Sequence, residues 1–193
     1  MKRLCLYCLL AVGLLSGCHR NDYSPKPTAY LRIDLPEKEY TCYDTATLPF
    51  TFERGNDCTV VWKRNHKGEK WIDLYYPTLR GVVFLSYKPI HGLRELNAQI
   101  DTAHQFLAMH FDHSSGIDEK QYIDADNHIY ATTSRLGGTR VASTYQFWAT
   151  DSNHHFLRGS LYLDYTPNND SLAPLIDYIR DDVDHLIETL RWR

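Results

Sequence analysis

The run Asp151-Ser152-Asn153-His154-His155 gathers a carboxylate, a hydroxyl and two imidazoles, with Arg158 three residues further on. Those are the side-chain types of a hydrolytic centre, in which a base activates a nucleophile and an acid orients the base. The spacing opposes that reading. Successive residues of an extended chain point to opposite faces, and Asp, Ser and Asn side chains bond their own backbone to make a turn. The chain carries no G-x-S-x-G elbow, S-x-x-K pair or H-E-x-x-H helix. It also lacks a glycine-rich loop opening a helix, the usual cradle for a phosphate or dinucleotide. An enzyme or small-ligand binder built on Asp151, His155 and Arg158 is therefore the alternative reading.

Two of the ten histidines stand as His110-x-x-His113, with Asp112 or Asp118 available as a third metal ligand. No recognised Cys/His ligand spacing accompanies them. The expectation is ordinary histidines, with no metal and no cofactor.

The cysteines divide by position. Lys2 and Arg3 precede an apolar run from Leu4 to Leu15 that ends in Leu15-Ser16-Gly17-Cys18. A basic start, a short apolar core and small residues before a cysteine describe a lipoprotein-type signal over residues 1–17, too short to span a membrane. Cys18 is then the new N-terminus, its thiol carrying a fatty-acyl group such as palmitate. Cys5 and Cys8 leave with the signal. Cys42 and Cys58 remain as a disulfide candidate, a bridge worth about 3 kcal/mol in the chain-entropy model, favoured over two separate thiols because an oxidising envelope permits it.

The precursor has 21 basic and 24 acidic residues, and losing Lys2 and Arg3 takes the formal net charge from -3 to -5. No basic patch is present, so nucleic acid is not the expected partner. Fourteen Tyr and four Trp suit strands and interfaces.

These residues need elements to position them. Residues 18–29, with Pro25-Lys26-Pro27, read as a stiff tether, and residues 30–193 as a single domain. Alternation places a first strand over 30–35, before Pro36. Phe50 to Phe52 and Cys58 to Trp62 are short strand candidates, with a charged turn from Lys63 to Lys70. A hairpin follows in Trp71 to Tyr76 and Val82 to Lys88. Leu93, Leu96, Ile100, Ala103 and Leu107 form one helical stripe. From Ile117 to Tyr165 the pattern is an antiparallel meander, with Phe156, Arg158, Ser160 and Tyr162 sharing one face of its last strand. Arg158 suits either a buried ion pair or an interface anchor. Leu172, Leu175, Ile176, Ile179, Val183, Leu186, Ile187 and Leu190 keep helical periodicity for five turns. Asp170 or Ser171 would cap that helix, and Pro174 would fall in its first turn. The fold class is α+β: an antiparallel sheet packed by two main helices.

Strings along the mature chain resemble the gliding motility lipoprotein GldD family. They include Tyr30-Leu31-Arg32-Ile33-Asp34-Leu35-Pro36, Leu85-Ser86-Tyr87-Lys88-Pro89-Ile90, and Gln146-Phe147 with Thr150-Asp151-Ser152 and His155-Phe156-Leu157-Arg158-Gly159. Asp170-Ser171-Leu172-Ala173-Pro174 and the terminal Leu186 to Trp192 complete the resemblance. The chain departs from the pattern at Phe111 to Ser115 and at Leu190. The resemblance implies a lipoprotein needed for gliding and type IX secretion, non-enzymatic, acting as a scaffold or assembly factor. Its expected partners are the membrane, through the lipid, other gliding and secretion lipoproteins, and the secretion core. After Cys18 no acid-rich surface-export tag appears, so the outer membrane's periplasmic face is the expected location. Asp151, His155, Phe156, Arg158 and Tyr162 are the interaction candidates. By analogy, two helices on such a sheet look similar to a PsbP/Mog1-like sandwich. Asp44-Thr45-Ala46, Asp101-Thr102-Ala103 and Asp170-Ser171-Leu172 match the short O-glycosylation pattern of such bacteria.

Overall fold

A computed structural model describes residues 34–193 apart from residue 67. The C-terminal apolar stripe becomes a helix over Asn169–Thr189, which buries Leu175, Ile176, Tyr178, Ile179, Val183, Leu186 and Ile187. The stripe at 93–107 becomes the helix Leu93–Ala108, which buries only Leu96, Ala103 and Leu107. We call the 93–108 helix α1 and the 169–189 helix α2. At roughly 1.5–3 kcal/mol per large apolar side chain taken from water, α2 is anchored far more firmly than α1. Leu93, expected on the buried stripe, is 70% exposed.

The strands are β1 (Tyr40–Tyr43), β2 (Phe50–Gly55), β3 (Thr59–His66), β4 (Glu69–Tyr76), β5 (Gly81–Pro89), β6 (Gly116–Asp124), β7 (Ile129–Gly137), β8 (Tyr145–Thr150), β9 (His155–Leu163) and β10 (Arg191–Trp192). Seven form one sheet in the order β3-β4-β5-β9-β8-β7-β6, and β1-β2-β10 form a second. Every pairing is antiparallel. The chain runs β3-β4-β5, crosses by way of α1 to the far edge, and returns as β6-β7-β8-β9 beside β5.

Register assigns the faces, because cross-strand partners share one. Ile72, Leu85, Gly159 and Phe147 are successive partners across four strands. Ile72, Leu85 and Phe147 belong to the main core, together with Ile179, Val183 and Leu186 of α2. Gly159 is required there, since a Cβ at that position would run into the Phe147 ring. Phe50 and Phe52 of β2 join the same core, so the small sheet closes it from the side.

The opposite face carries Trp71, Ser86, Arg158 and Trp148 as successive partners. Here α1 covers part of the sheet. Leu96 and Ala103 pack with Ile90 and Phe156, and Leu107 packs with Leu136 and Val141. Trp71, Tyr75 and Phe84, on β4 and β5, stay 38–44% exposed.

Several sequence expectations shift. Asp34 and Leu35 are not in a strand, and the rest of the predicted first strand, residues 30–33, lies outside the described residues. The first described strand is β1. The charged turn at 63–70 shrinks because β3 runs to His66 and β4 starts at Glu69; pairing is made by the backbone, and polar residue types on an edge strand do not stop it. The helix α2 starts one residue before Asp170, and Asn168 at its N-cap makes no side-chain cap bond. Pro174 therefore lies in the second turn, where it removes the bond to the Asp170 carbonyl. Arg191 donates to the carbonyls of Glu188 and Leu190, as the negative helix end favours.

Candidate functional site

The structure takes the Asp151–Arg158 constellation apart. Asp151 Oδ1 accepts the backbone N–H groups of Asn153 at 3.0 Å, His154 at 2.8 Å and His155 at 2.8 Å. Burial pushes its carboxyl up, but those three donors outweigh it and hold the group below the ordinary Asp value. Ser152 occupies the left-handed region at φ 71. This is a β8–β9 turn with its carboxylate spent on its own backbone.

His155 points to the core side of β9. Its Nδ1 shares a 2.9 Å hydrogen bond with Tyr87 Oη, and its ring stacks on Trp192 with centroids 5.0 Å apart. Burial lowers the imidazole pKa, while the charge of Asp151 opposes this. Burial also pushes the Tyr87 hydroxyl up to about 12. Phe156 turns the other way but is 3% exposed, stacked with Trp148 at 6.1 Å. It is core under α1, not an accessible anchor.

Arg158 and Tyr162 face the partly covered side. Arg158 lines a groove of about 530 Å³ between α1 and the β4–β5 part of the sheet. Ser86 lies on the floor, Trp71 and Phe84 stand on the sheet side, and Thr102 and Phe106 come from α1. Tyr162 packs against Phe84, ring centroids 5.4 Å apart. The Arg158 guanidinium carbon sits 4.4 Å from the centre of the Phe106 ring, and Nη2 donates to Gln146 Oε1 at 3.0 Å. Burial pulls its pKa down, with Tyr162 opposing. Among the described residues no carboxylate lies within ion-pair distance of it, so the expected buried ion pair is absent there. Asp73 and Lys63 meet at the rim, 3.4 Å apart. Burial raises the Asp73 carboxyl pKa against the pull of Lys63.

Cys42 and Cys58 are free thiols, which corrects the expected bridge. Cys42 is exposed on β1, opposite Glu53. Cys58 is 3% exposed in the main core, and burial pushes its thiol up to about 11. Cys18 and the tether lie outside the described residues.

His110 is half-buried beside Tyr162, ring centroids 6.4 Å apart, and burial lowers its pKa. His113 is exposed. Among the described residues, no three His, Cys, Asp or Glu side chains gather as a metal site needs. In the glycosylation patterns, the Thr102 hydroxyl is spent on the Ala98 carbonyl within α1.

Sequence reasoning missed Asp182. It is 4% exposed, and its Oδ1 accepts from Lys38 Nζ at 2.7 Å and Tyr40 Oη at 3.0 Å. The carboxyl of Asp57, close by, is raised first by burial and then by the charge of Asp182. The signal was available: position 182 follows Ile179 by three and precedes Leu186 by four, on the apolar stripe. Phe106 gave no signal, because it lies off the α1 stripe.

The topology, two helices on an antiparallel sheet, is that of a PsbP-like α+β sandwich. The solution structure of cyanobacterial PsbP (CyanoP) from Synechocystis sp. PCC 6803 is similar, with a TM-score of 0.51 at 11% identity, over 84% of this chain and 98% of that one. That likeness concerns the fold alone. By sequence, the profile of the gliding motility lipoprotein GldD family matches residues 20–192. The chain belongs to that family, and with it to the membrane-anchored lipoproteins of the cell envelope involved in gliding motility. None of the curated proteins matches it by sequence.

Proposed function

We propose that this protein is a non-enzymatic scaffold or assembly factor for gliding and type IX secretion, held by an acylated Cys18 on the periplasmic face of the outer membrane. The observation that carries the reading is how the reactive side chains are used. Asp151 is committed to three backbone N–H groups, and His155 to Tyr87 and Trp192. Arg158 faces away from both. Side chains already satisfied by structure are not poised for acid–base work. Residues 1–17 are the export signal, and 18–29 the tether between the acylated cysteine and the domain. Among the described residues no helix is long and apolar enough to cross a membrane. Partner lipoproteins dock on the outer end of α1, where Met109 is 74% and Phe111 50% exposed.

Deletion of the gene in a gliding bacterium should abolish spreading and leave adhesins unsecreted. A copy carrying Asp151→Asn and His155→Phe should restore both, provided it accumulates to normal levels. A normally accumulated but inactive copy would overturn the non-enzymatic reading.

A further inference from the structure

We propose that the groove between α1 and the β4–β5 face binds a small amphipathic monocarboxylate, its carboxylate paired with Arg158 and its hydrocarbon laid against Trp71, Phe84 and Phe106. This goes beyond the adaptor reading and does not depend on it.

Charge selects the ligand. Three cations line the groove, Lys63, Lys88 and Arg158, against one carboxylate, Asp73. Lys63 is met by Asp73 at 3.4 Å and Lys88 by Glu69 at 3.7 Å. Arg158 is the deepest of the three and lacks an acidic partner among the described residues. Its one side-chain acceptor there is Gln146 Oε1, which leaves most of the five guanidinium donors for a ligand. A half-buried cation without a counter-ion is costly, and an anion brought into the groove removes that cost.

Gln146, next to the groove, fixes the direction of the guanidinium. It is 4% exposed, which keeps its side chain fixed. Its oxygen orients the guanidinium, which the Phe106 ring holds from the helix side. The planar fork that results suits a carboxylate, which it takes two bonds at a time. One uncompensated charge matches a monoanion. A dianionic phosphate would meet one spare cation and the repulsion of Asp73.

The rest of the ligand follows from the walls. Trp71, Phe84 and Phe106 present aromatic surface, and most of the area exposed to the groove is apolar. An apolar lining with a small number of placed polar groups, at about 530 Å³, is the character of a small-molecule site. It suits an alkyl or aryl chain better than a sugar.

The test uses the chain from residue 19 on, made without its acyl group, since every described element lies beyond residue 33. Dodecanoate is titrated near neutral pH by calorimetry and by backbone amide NMR. Saturable one-site binding is expected, with shifts centred on Ser86, Phe106 and Arg158. Dodecanol, with the same tail and no charge, should bind at least about tenfold more weakly, the loss of one charge-assisted contact. Arg158→Met should lose about as much. Phe84→Glu, on an exposed position, should block dodecanoate by placing a carboxylate on the groove wall. No saturable binding, equal affinity for the alcohol, or shifts centred elsewhere would each overturn the proposal.

Discussion

His155 and Arg158 stand three residues apart on one strand and meet opposite surroundings, so they answer pH differently. The imidazole is half-buried beside Tyr87 and Trp192, and burial lowers its folded pKa. The unfolded chain therefore takes the proton first, near pH 6.5. The stability that neutral His155 provides is present above that value and lost as pH falls through it. Asp151 is depressed as well; its contribution persists to lower pH and is lost as pH falls through the folded value. Asp57 and Asp73 are raised and have the opposite sign, adding stability at low pH that is lost as pH rises through their raised values. His155→Phe should therefore shrink the stability loss between about pH 7.5 and about pH 5.5, read as urea midpoints at the two pH values. An unchanged difference between those midpoints would contradict the assignment of the loss to this imidazole.

The two helices differ in how tightly they are held, and the difference has a dynamic consequence. The helix α2 sits in the main core with Ile179 and Val183 almost fully buried, and Glu53 N–H donates to Thr189 Oγ1 at its end. The helix α1 rests on two small clusters. Local opening follows the weaker packing. In hydrogen exchange, α1 amides should exchange before those of α2, and Leu96→Ala, costing roughly 2–5 kcal/mol, should release α1 selectively. Uniform loss of protection across both helices would show that α1 belongs to the global unit.

The same elements show what was legible in the sequence. Both helices, the 71–88 hairpin and the meander were readable because their apolar period follows the face they bury. The short β1 and β10 were not. Each owes its existence to pairing with β2, and four or two residues carry no period. Arg158 could be assigned to a face, but the groove could not, since it depends on where α1 stops covering the sheet.

At the scale of the molecule, the described fold and the proposed anchor occupy different stretches of sequence. Everything described lies beyond residue 33, and the matched family region begins at residue 20, after the acylated position we propose. Cys18→Ser should leave circular dichroism and thermal midpoint unchanged while moving the protein from the membrane to the soluble fraction and abolishing gliding. Retention of the serine variant in the membrane fraction would show that something other than the acyl chain holds the protein there.

Residues 191–193 close the small sheet. Trp192 pairs with Phe50, its indole Nε1 donates to the His128 carbonyl at 3.2 Å, and Arg193 N–H donates to the Pro49 carbonyl at 2.9 Å. Phe50 of β2 belongs to the main hydrophobic cluster, so this pairing ties Trp192 to the core across almost the whole described chain. Such non-local closure is slow to form. Pairing of β10 with β2 is therefore expected late in folding, after the hairpins of the seven-stranded sheet have formed.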